Sequence, residues 1–392
     1  AIPDIKNRIE ELEKQVAEEE MMAGSDTLVQ NVVDSNTIAE NAARLTGIPV
    51  TKLSESENEK LIHMERDLQS EVVGQSEAVK AVSNAVRLSR SGLANPRQPA
   101  SFMFLGTSGS GKTELAKKLA GFLFNDEGAI IRIDCSELGE KHSGSKLLGT
   151  TAGYIGFEEG GLLTNQLKRK PYSVILFDEV EKAHPDVLTI LLQMLDDGRI
   201  TSGDGKTIDC SNSIVIMTSN LGAHYINEQP GSKVNEATKE LVMSAVRLHF
   251  RPEFLNRISS IVVFNKLSRK AINKIVSIRI KELEERFAEN DKHYHLKLDD
   301  AAMHFLTENG YSPDMGARPL NRLIQNEILN KLAIRILKGQ IQDKEDVQIV
   351  FNKEKDGLDV IANHQGKALD DMDIDEDYED IDIDDLQQPD YE

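Results

Sequence analysis

The stretch "FMFLGTSGSGKTELAKKLA", Phe102–Ala120, runs from an apolar segment through a glycine-rich loop into a helix carrying lysines. Gly106, Gly109 and Gly111 stand where a strand gives way to a helix, although glycine weakens both kinds of element. The loop must therefore serve something that side chains would obstruct. "GTSGSGKT", Gly106–Thr113, has the P-loop form G-x4-G-K-[ST] and sits between a strand and a helix, as that form requires. Glycine lets the backbone curl. The N–H groups across Gly106, Thr107, Ser108, Gly109, Ser110 and Gly111 can then point at phosphate oxygens, with the helix dipole in support. Lys112 would reach the β- and γ-phosphates, and the Thr113 hydroxyl would ligate Mg²⁺. The plainer alternative is a flexible glycine turn, and the flanking strand and helix weigh against it.

A phosphate cradle hydrolyses nothing by itself. It needs a second strand that brings a carboxylate to the metal, and "SVILFDE" ends in Asp178 and Glu179. Asp178 can hold the Mg²⁺ shell, and Glu179 can polarise an attacking water. A third strand, "SIVIMTSN", ends in Asn220, at the edge where open α/β sheets bind ligands. Asn220 would orient the water or sense the γ-phosphate; a helix cap or turn residue is the competing explanation.

Outward from these strands, "SFMFL", "AIIRID", "SVILFD", "SIVIMTS" and "SSIVVF" are continuous apolar runs separated by helical stretches. Such runs fit strands buried on both faces of a parallel sheet. Past Leu267 the pattern turns mostly helical, with short strands at "DVQIVFN" and "LDVIAN". The expected organisation is a helical segment over 1–50, a linker helix over 51–71 and an α/β domain over 72–266. A smaller helical domain over 267–363 and a tail over 364–392 follow. The opening "AIPDIKNRIEELEKQ" already reads as helix, so the chain is expected to belong to something longer.

Composition narrows the classes. The net charge is -20, but residues 370–392 contribute thirteen acidic residues and no basic one, leaving -7 for the rest. A body this mildly acidic argues against a dedicated nucleic-acid surface, and the acidic block is expected to stay disordered. No apolar run is long enough for a membrane helix. The two cysteines, Cys135 and Cys210, lack metal-ligand spacing and fit a reducing compartment. His293 and His295 would share a strand face, with core or surface histidine preferred over a metal site.

"GTSGSGKT", "VILFDE", "IMTSN", "FRPEFLNRI" and "GARPL" occur in the order found in AAA+ ATPases of the Clp class, and the chain resembles the second ATPase module of ClpB-like disaggregases. The resemblance implies an α/β AAA+ P-loop NTPase fold: a parallel sheet flanked by helices, with a smaller, mostly helical C-terminal lid that carries short strands. It implies ATP/ADP and Mg²⁺ as cofactors and a homo-oligomeric ring, a hexamer, with sites between subunits. Arg257 in "FRPEFLNRI" corresponds to the arginine finger that reaches a neighbour's γ-phosphate, and Arg251 lies close enough in sequence to share the role. Arg318 in "GARPL" corresponds to the lid arginine contacting the same subunit's phosphates. Val72, Val73 and Gly74 in "EVVGQ" match the segment around the adenine.

"TTAGYIGFEEGG" resembles the Clp pore loop, Gly153, Tyr154, Ile155 and Gly156, with Tyr154 gripping substrate. An aromatic ring on a glycine-flanked loop can press on any extended peptide without reading its sequence. "EKHSGSK", Glu140–Lys146, matches a secondary pore loop more loosely. Protease-coupled relatives carry an I-G-[FL] docking tripeptide. Here "IGF", Ile155–Phe157, is taken by the pore loop, and "LGAHYINEQPGSK" lacks it, so disaggregation is preferred over protease coupling. A nucleic-acid motor on the same fold is the other alternative. "AIPDIKNRIEELEKQ" resembles the end of a coiled-coil middle domain. Unfolded or aggregated polypeptide and the heat-shock 70-class chaperones are the implied partners, without nucleic acid or membrane, in the cytoplasm and nucleus. The tail's "IDIDDL" is followed by "QQPDYE", so a terminal clamp motif for co-chaperones is not expected.

Overall fold

The computed structural model describes residues 57–362 apart from 96, 151–159, 290–291, 313–314 and 342–343. The helical segment over 1–50, the pore-loop residues Gly153–Gly156 and the acidic tail lie outside the described residues.

Every residue of β1 (Ala100–Leu105) is buried, and the sheet shows why one strand can be apolar at all positions but Ser101. β1 is flanked by β6 (Ile214–Ser219) and β7 (Ser260–Val263). β3 (Val174–Asp178) follows β6, and β2 (Ile130–Asp134) closes the order β2-β3-β6-β1-β7. All four pairings are parallel. Successive side chains point to opposite faces. Met103, Leu105, Ile175, Phe177, Val215 and Met217 pack into one core. Phe102, Phe104, Val174, Leu176, Ile214 and Ile216 pack into the other. Helices cover both faces. Leu115, Ala116 and Leu119 of helix Lys112–Phe124 join the second core. So do Met64 and Leu68 of helix Glu57–Glu71, which therefore belongs to the packing of the large domain. Ile190, Leu191 and Met194 of helix Pro185–Asp197 cover the first.

The second domain begins with helix Arg269–Glu289, whose Ile272, Val276 and Ile280 face a third core. Helices Asp300–Asn309 and Arg318–Ile324 follow. The latter runs on through a π-helical turn, Gln325–Leu329, into Asn330–Leu337. A small sheet of order β10-β9-β8 completes the domain, from β8 (His295–Leu298), β9 (Asp346–Asn352) and β10 (Gly357–Ala362). β9 and β10 match the expected strands. β8 starts at His295, which was expected on a strand face. The strand itself was hard to see in a mostly helical stretch because His295 and Lys297 face solvent and leave only Leu296 and Leu298 as apolar signal. The hairpin of β4 (Arg199–Thr201) and β5 (Thr207–Asp209) escaped for the same reason: each strand buries one residue.

One charged cluster joins these parts. The Lys118 ammonium lies 2.8 Å from Glu127, 3.3 Å from Glu71 and 3.3 Å from Glu282. Beside it Arg279 of the second domain contacts Glu114 at 3.1 Å and Glu282 at 2.6 Å. Burial works against the charge on Lys118, yet the three carboxylates outweigh it and raise its pKa above the ordinary lysine range. Among the described residues no helix is long and apolar enough to cross a membrane, and no group of three or more His, Cys, Asp or Glu is placed to hold a metal ion.

Candidate nucleotide site at the carboxyl edge of the sheet

β1, β3 and β6 end side by side, and their continuations form one cleft with the second domain. Gly106, Gly109 and Gly111 have φ of +153°, +66° and +101°, so the turn from β1 into the helix uses conformations open to glycine. Gly106 N–H reaches the Ser219 carbonyl at 3.3 Å and fixes the loop to β6. Lys112 opens the helix and is buried. Its Nζ donates to the Gly106 carbonyl at 2.5 Å, the Thr107 carbonyl at 3.0 Å and Asn220 Oδ1 at 2.9 Å. Burial pulls its pKa down to about 8, while Glu181, Asp178 and Glu179 push it back up and Arg318 adds to the lowering. A buried ammonium solvated mainly by carbonyl oxygens, with a second cation near it, is placed to gain from a phosphate that comes within its reach.

Asp178, the last residue of β3, is buried. One carboxylate oxygen accepts from the Thr218 hydroxyl, and the other lies 2.7 Å from the Arg132 guanidinium. Glu179 adopts φ +55°, an uncommon conformation for a side-chain-bearing residue, and its N–H is held by Thr218 Oγ1 at 3.2 Å. Its carboxylate meets Lys182 at 2.6 Å and the Asn220 side-chain amide at 3.3 Å. Asn220 thus spans Lys112 and Glu179.

The second domain closes the cleft. Arg318 starts its helix, and Ala317 N–H reaches the Gly109 carbonyl at 3.3 Å. The approach is so close that a Cβ on Gly316 would stand 2.6 Å from the Gly109 and Ser108 carbonyl oxygens. Of the residues singled out in the sequence, Val72, Val73, Ser108–Thr113, Asp178, Glu179, Asn220 and Arg318 line this one cleft. Gly106 and Thr107 stand behind it as carbonyl partners of Lys112. Gly74, with φ +80°, packs near Leu267 and Ala271. Arg257 does not line the cleft: it is half exposed and pairs with Asp196 at 2.6 Å. Arg251 is exposed beside Glu253. "EKHSGSK" forms a turn and the start of helix Ser143–Leu148. His295 is exposed on β8, 4.0 Å from Glu284.

Sequence reasoning missed four contributors. Gln75 is buried and joins the Ser110 carbonyl at 2.9 Å to the Asn265 backbone at 2.9 Å. Thr218 ties Asp178 to Glu179, Arg132 pairs with Asp178, and Arg279 brings a second guanidinium to the cleft wall. Only Gln75 and Thr218 were hinted at, as neighbours inside "EVVGQ" and "IMTSN".

A P-loop after β1, a carboxylate pair at the end of β3 with β6 between the two strands, and a helical lid arginine define an AAA+ ATPase module. The chain belongs to the Clp-class AAA+ ATPases, homologous to the ClpB and heat shock protein 104 group over about nine-tenths of its length. Residues 97–261 match the family described as AAA domain (Cdc48 subfamily), and residues 267–349 match the C-terminal, D2-small domain of ClpB protein. Heat shock protein 104 of Schizosaccharomyces pombe is 53% identical over 98% of this chain and 43% of its own length. The ClpB chaperone of Rhodopseudomonas palustris is 50% identical over 87% of this chain and 39% of its own. A solved S. cerevisiae Hsp104–ADP complex superposes with a TM-score of 0.77 at 78% identity, covering 84% of this chain and 57% of that one. A closed-state reconstruction of Hsp104 with ATPγS and FITC-casein gives 0.73 at 76% identity, covering 85% and 57%. The chain spans about two-fifths of the length of the curated relatives it matches.

Proposed function

We propose that this chain is an ATP-driven protein-remodelling module that works in a ring of like subunits and draws unfolded polypeptide through the ring's centre. The observation that carries the proposal is the convergence of Lys112, Asp178, Glu179, Asn220 and Arg318 on one cleft. The cleft also has an apolar end, at Val72, Val73, Ile275 and Ile278, suited to a flat base.

The residues divide the work by charge. The P-loop amides and the buried Lys112 ammonium receive the β- and γ-phosphates. Arg318 adds a guanidinium from the lid, so phosphate binding and lid position depend on each other. Thr113 and Asp178 offer hard oxygen donors that fit Mg²⁺, which when bound would neutralise charge on the phosphates. Arg132 now faces Asp178; its side chain is 56% exposed and free to swing aside. Glu179 takes the proton side of the reaction, accepting from the attacking water while the Asn220 amide fixes its carboxylate. Arg257 stands outside its own cleft, paired with Asp196, as expected of a group meant for a neighbour's γ-phosphate. Tyr154 is proposed to grip the substrate, and the heat-shock 70-class chaperones to deliver it.

The decisive experiment is Glu179→Gln in the full chain. ATP hydrolysis should fall at least about 100-fold while fluorescent-nucleotide binding stays within about threefold. Turnover equal to the unsubstituted chain would remove Glu179, and this cleft, from the reaction.

A further inference from the structure

Glu181 lies two residues past Glu179 on the tight turn Val180–Lys182 and takes no part in the chemistry assigned above. Its Oε1 accepts the backbone N–H of Asn220 at 3.0 Å. Its Oε2 is shut off from solvent and has no hydrogen-bond partner among the described residues. The β3–β6 ladder register ends at Phe177 and Met217, one step short of the residues that matter. Past that point side chains bind the two strand ends to each other. From β6, the Thr218 hydroxyl donates to Asp178 and accepts the Glu179 N–H. From the β3 side, Glu181 holds Asn220. The tie is reciprocal.

We propose that Glu181 is a positioning residue for hydrolysis: by fixing the Asn220 backbone it sets the short amide side chain across the gap between Lys112 and Glu179. The inference rests on the ATPase reading of the cleft. An asparagine side chain has one carbon between Cα and its amide, so its reach is decided by where its backbone lies. Asn220 must touch Lys112 at 2.9 Å on one side and Glu179 at 3.3 Å on the other, and a small backbone shift breaks one of them. A side chain is needed here because Asn220 has left the β-ladder that would otherwise hold its N–H.

The test uses the 392-residue chain with Glu181→Ala and Glu181→Gln, the second keeping an oxygen acceptor at the same reach. Two quantities are read: steady-state ATP hydrolysis, and amide hydrogen exchange over Ile214–Leu221. Glu181→Ala should lower kcat about 10-fold or more with KM for ATP within about threefold, and Asn220 N–H should exchange faster. Glu181→Gln should return both toward the parent values. Parent-like kcat and exchange in Glu181→Ala would overturn the inference, as would a Glu181→Gln chain as impaired as the alanine one. Should the parent chain itself fail to hydrolyse ATP, the ATPase reading falls, while Asn220 exchange still decides whether Glu181 holds that backbone.

Discussion

Lys112 shows how the site trades stability for binding. Its pKa in the folded chain is about 8 against an ordinary 10.5, with burial as the main cause. A lowered lysine pKa means that the folded chain binds fewer protons than the unfolded chain between these values. Stability should therefore rise as the pH climbs from about 8 toward 10.5, and the full burden should be present below about 8. At about 1.4 kcal/mol per unit, that burden is on the order of 3 kcal/mol at neutral pH. Lys112→Met removes it. Denaturant titrations of nucleotide-free chains at pH 7 and pH 10 should show the parent gaining on the order of 2 kcal/mol relative to Lys112→Met. A difference that does not change with pH would show that the ammonium is comfortably solvated in the empty cradle. Nucleotide phosphates should cancel the effect, and Lys112→Met should not bind them. Lys112 and Thr113 were legible from the P-loop spacing, and Asp178 and Glu179 from an apolar strand ending in two carboxylates, whereas Arg318 came only with the family resemblance. Gln75 was not: its partners Ser110 and Asn265 lie 35 and 190 positions away, and one glutamine carries no mark of that.

Elements follow the same division. The strands of the large sheet were readable because β1, β3 and β6 are buried on both faces and mostly apolar, and β2 and β7 keep enough apolar residues to continue the pattern. β4, β5 and β8 bury one or two residues each and look like loop or helix. The contact between lid and P-loop was beyond the sequence as well, since "GARPL" does not reveal what its glycine touches. Gly316 has φ +57°, and a Cβ there would meet the Gly109 and Ser108 carbonyl oxygens at 2.6 Å, both backbone atoms of the phosphate loop. Gly316→Ala should therefore push the turn before helix Arg318–Ile324 off the P-loop and carry Arg318 with it. Nucleotide affinity should fall about 10-fold or more in a fluorescence titration, while the melting of the nucleotide-free chain shifts by only a few degrees. Unchanged affinity would mean that the lid reaches its working position without this contact.

At the scale of the whole molecule, the cleft gathers two domains of one chain but leaves Arg257 outside, held by Asp196 at 2.6 Å and half exposed. A finger supplied by a neighbour makes a prediction that no single-subunit mechanism shares. Arg257→Ala subunits keep Glu179 but cannot complete the next site. Glu179→Gln subunits cannot hydrolyse but still present Arg257. Each preparation alone should be inactive. In a ring assembled from an equal mixture, a site works when an Arg257→Ala subunit receives the arginine of a Glu179→Gln neighbour, which holds for about one site in four. Mixing the two with ATP should restore about a quarter of the parent activity, and the recovery should vanish on dilution as subunits separate. If Arg257 instead served its own subunit, or only stabilised helix Pro185–Asp197 through Asp196, mixing would leave activity at the sum of the two inactive stocks. Nucleotide affinity of Arg257→Ala, measured alongside, should stay near the parent value, because the arginine stands apart from the cleft that binds the phosphates within its own chain.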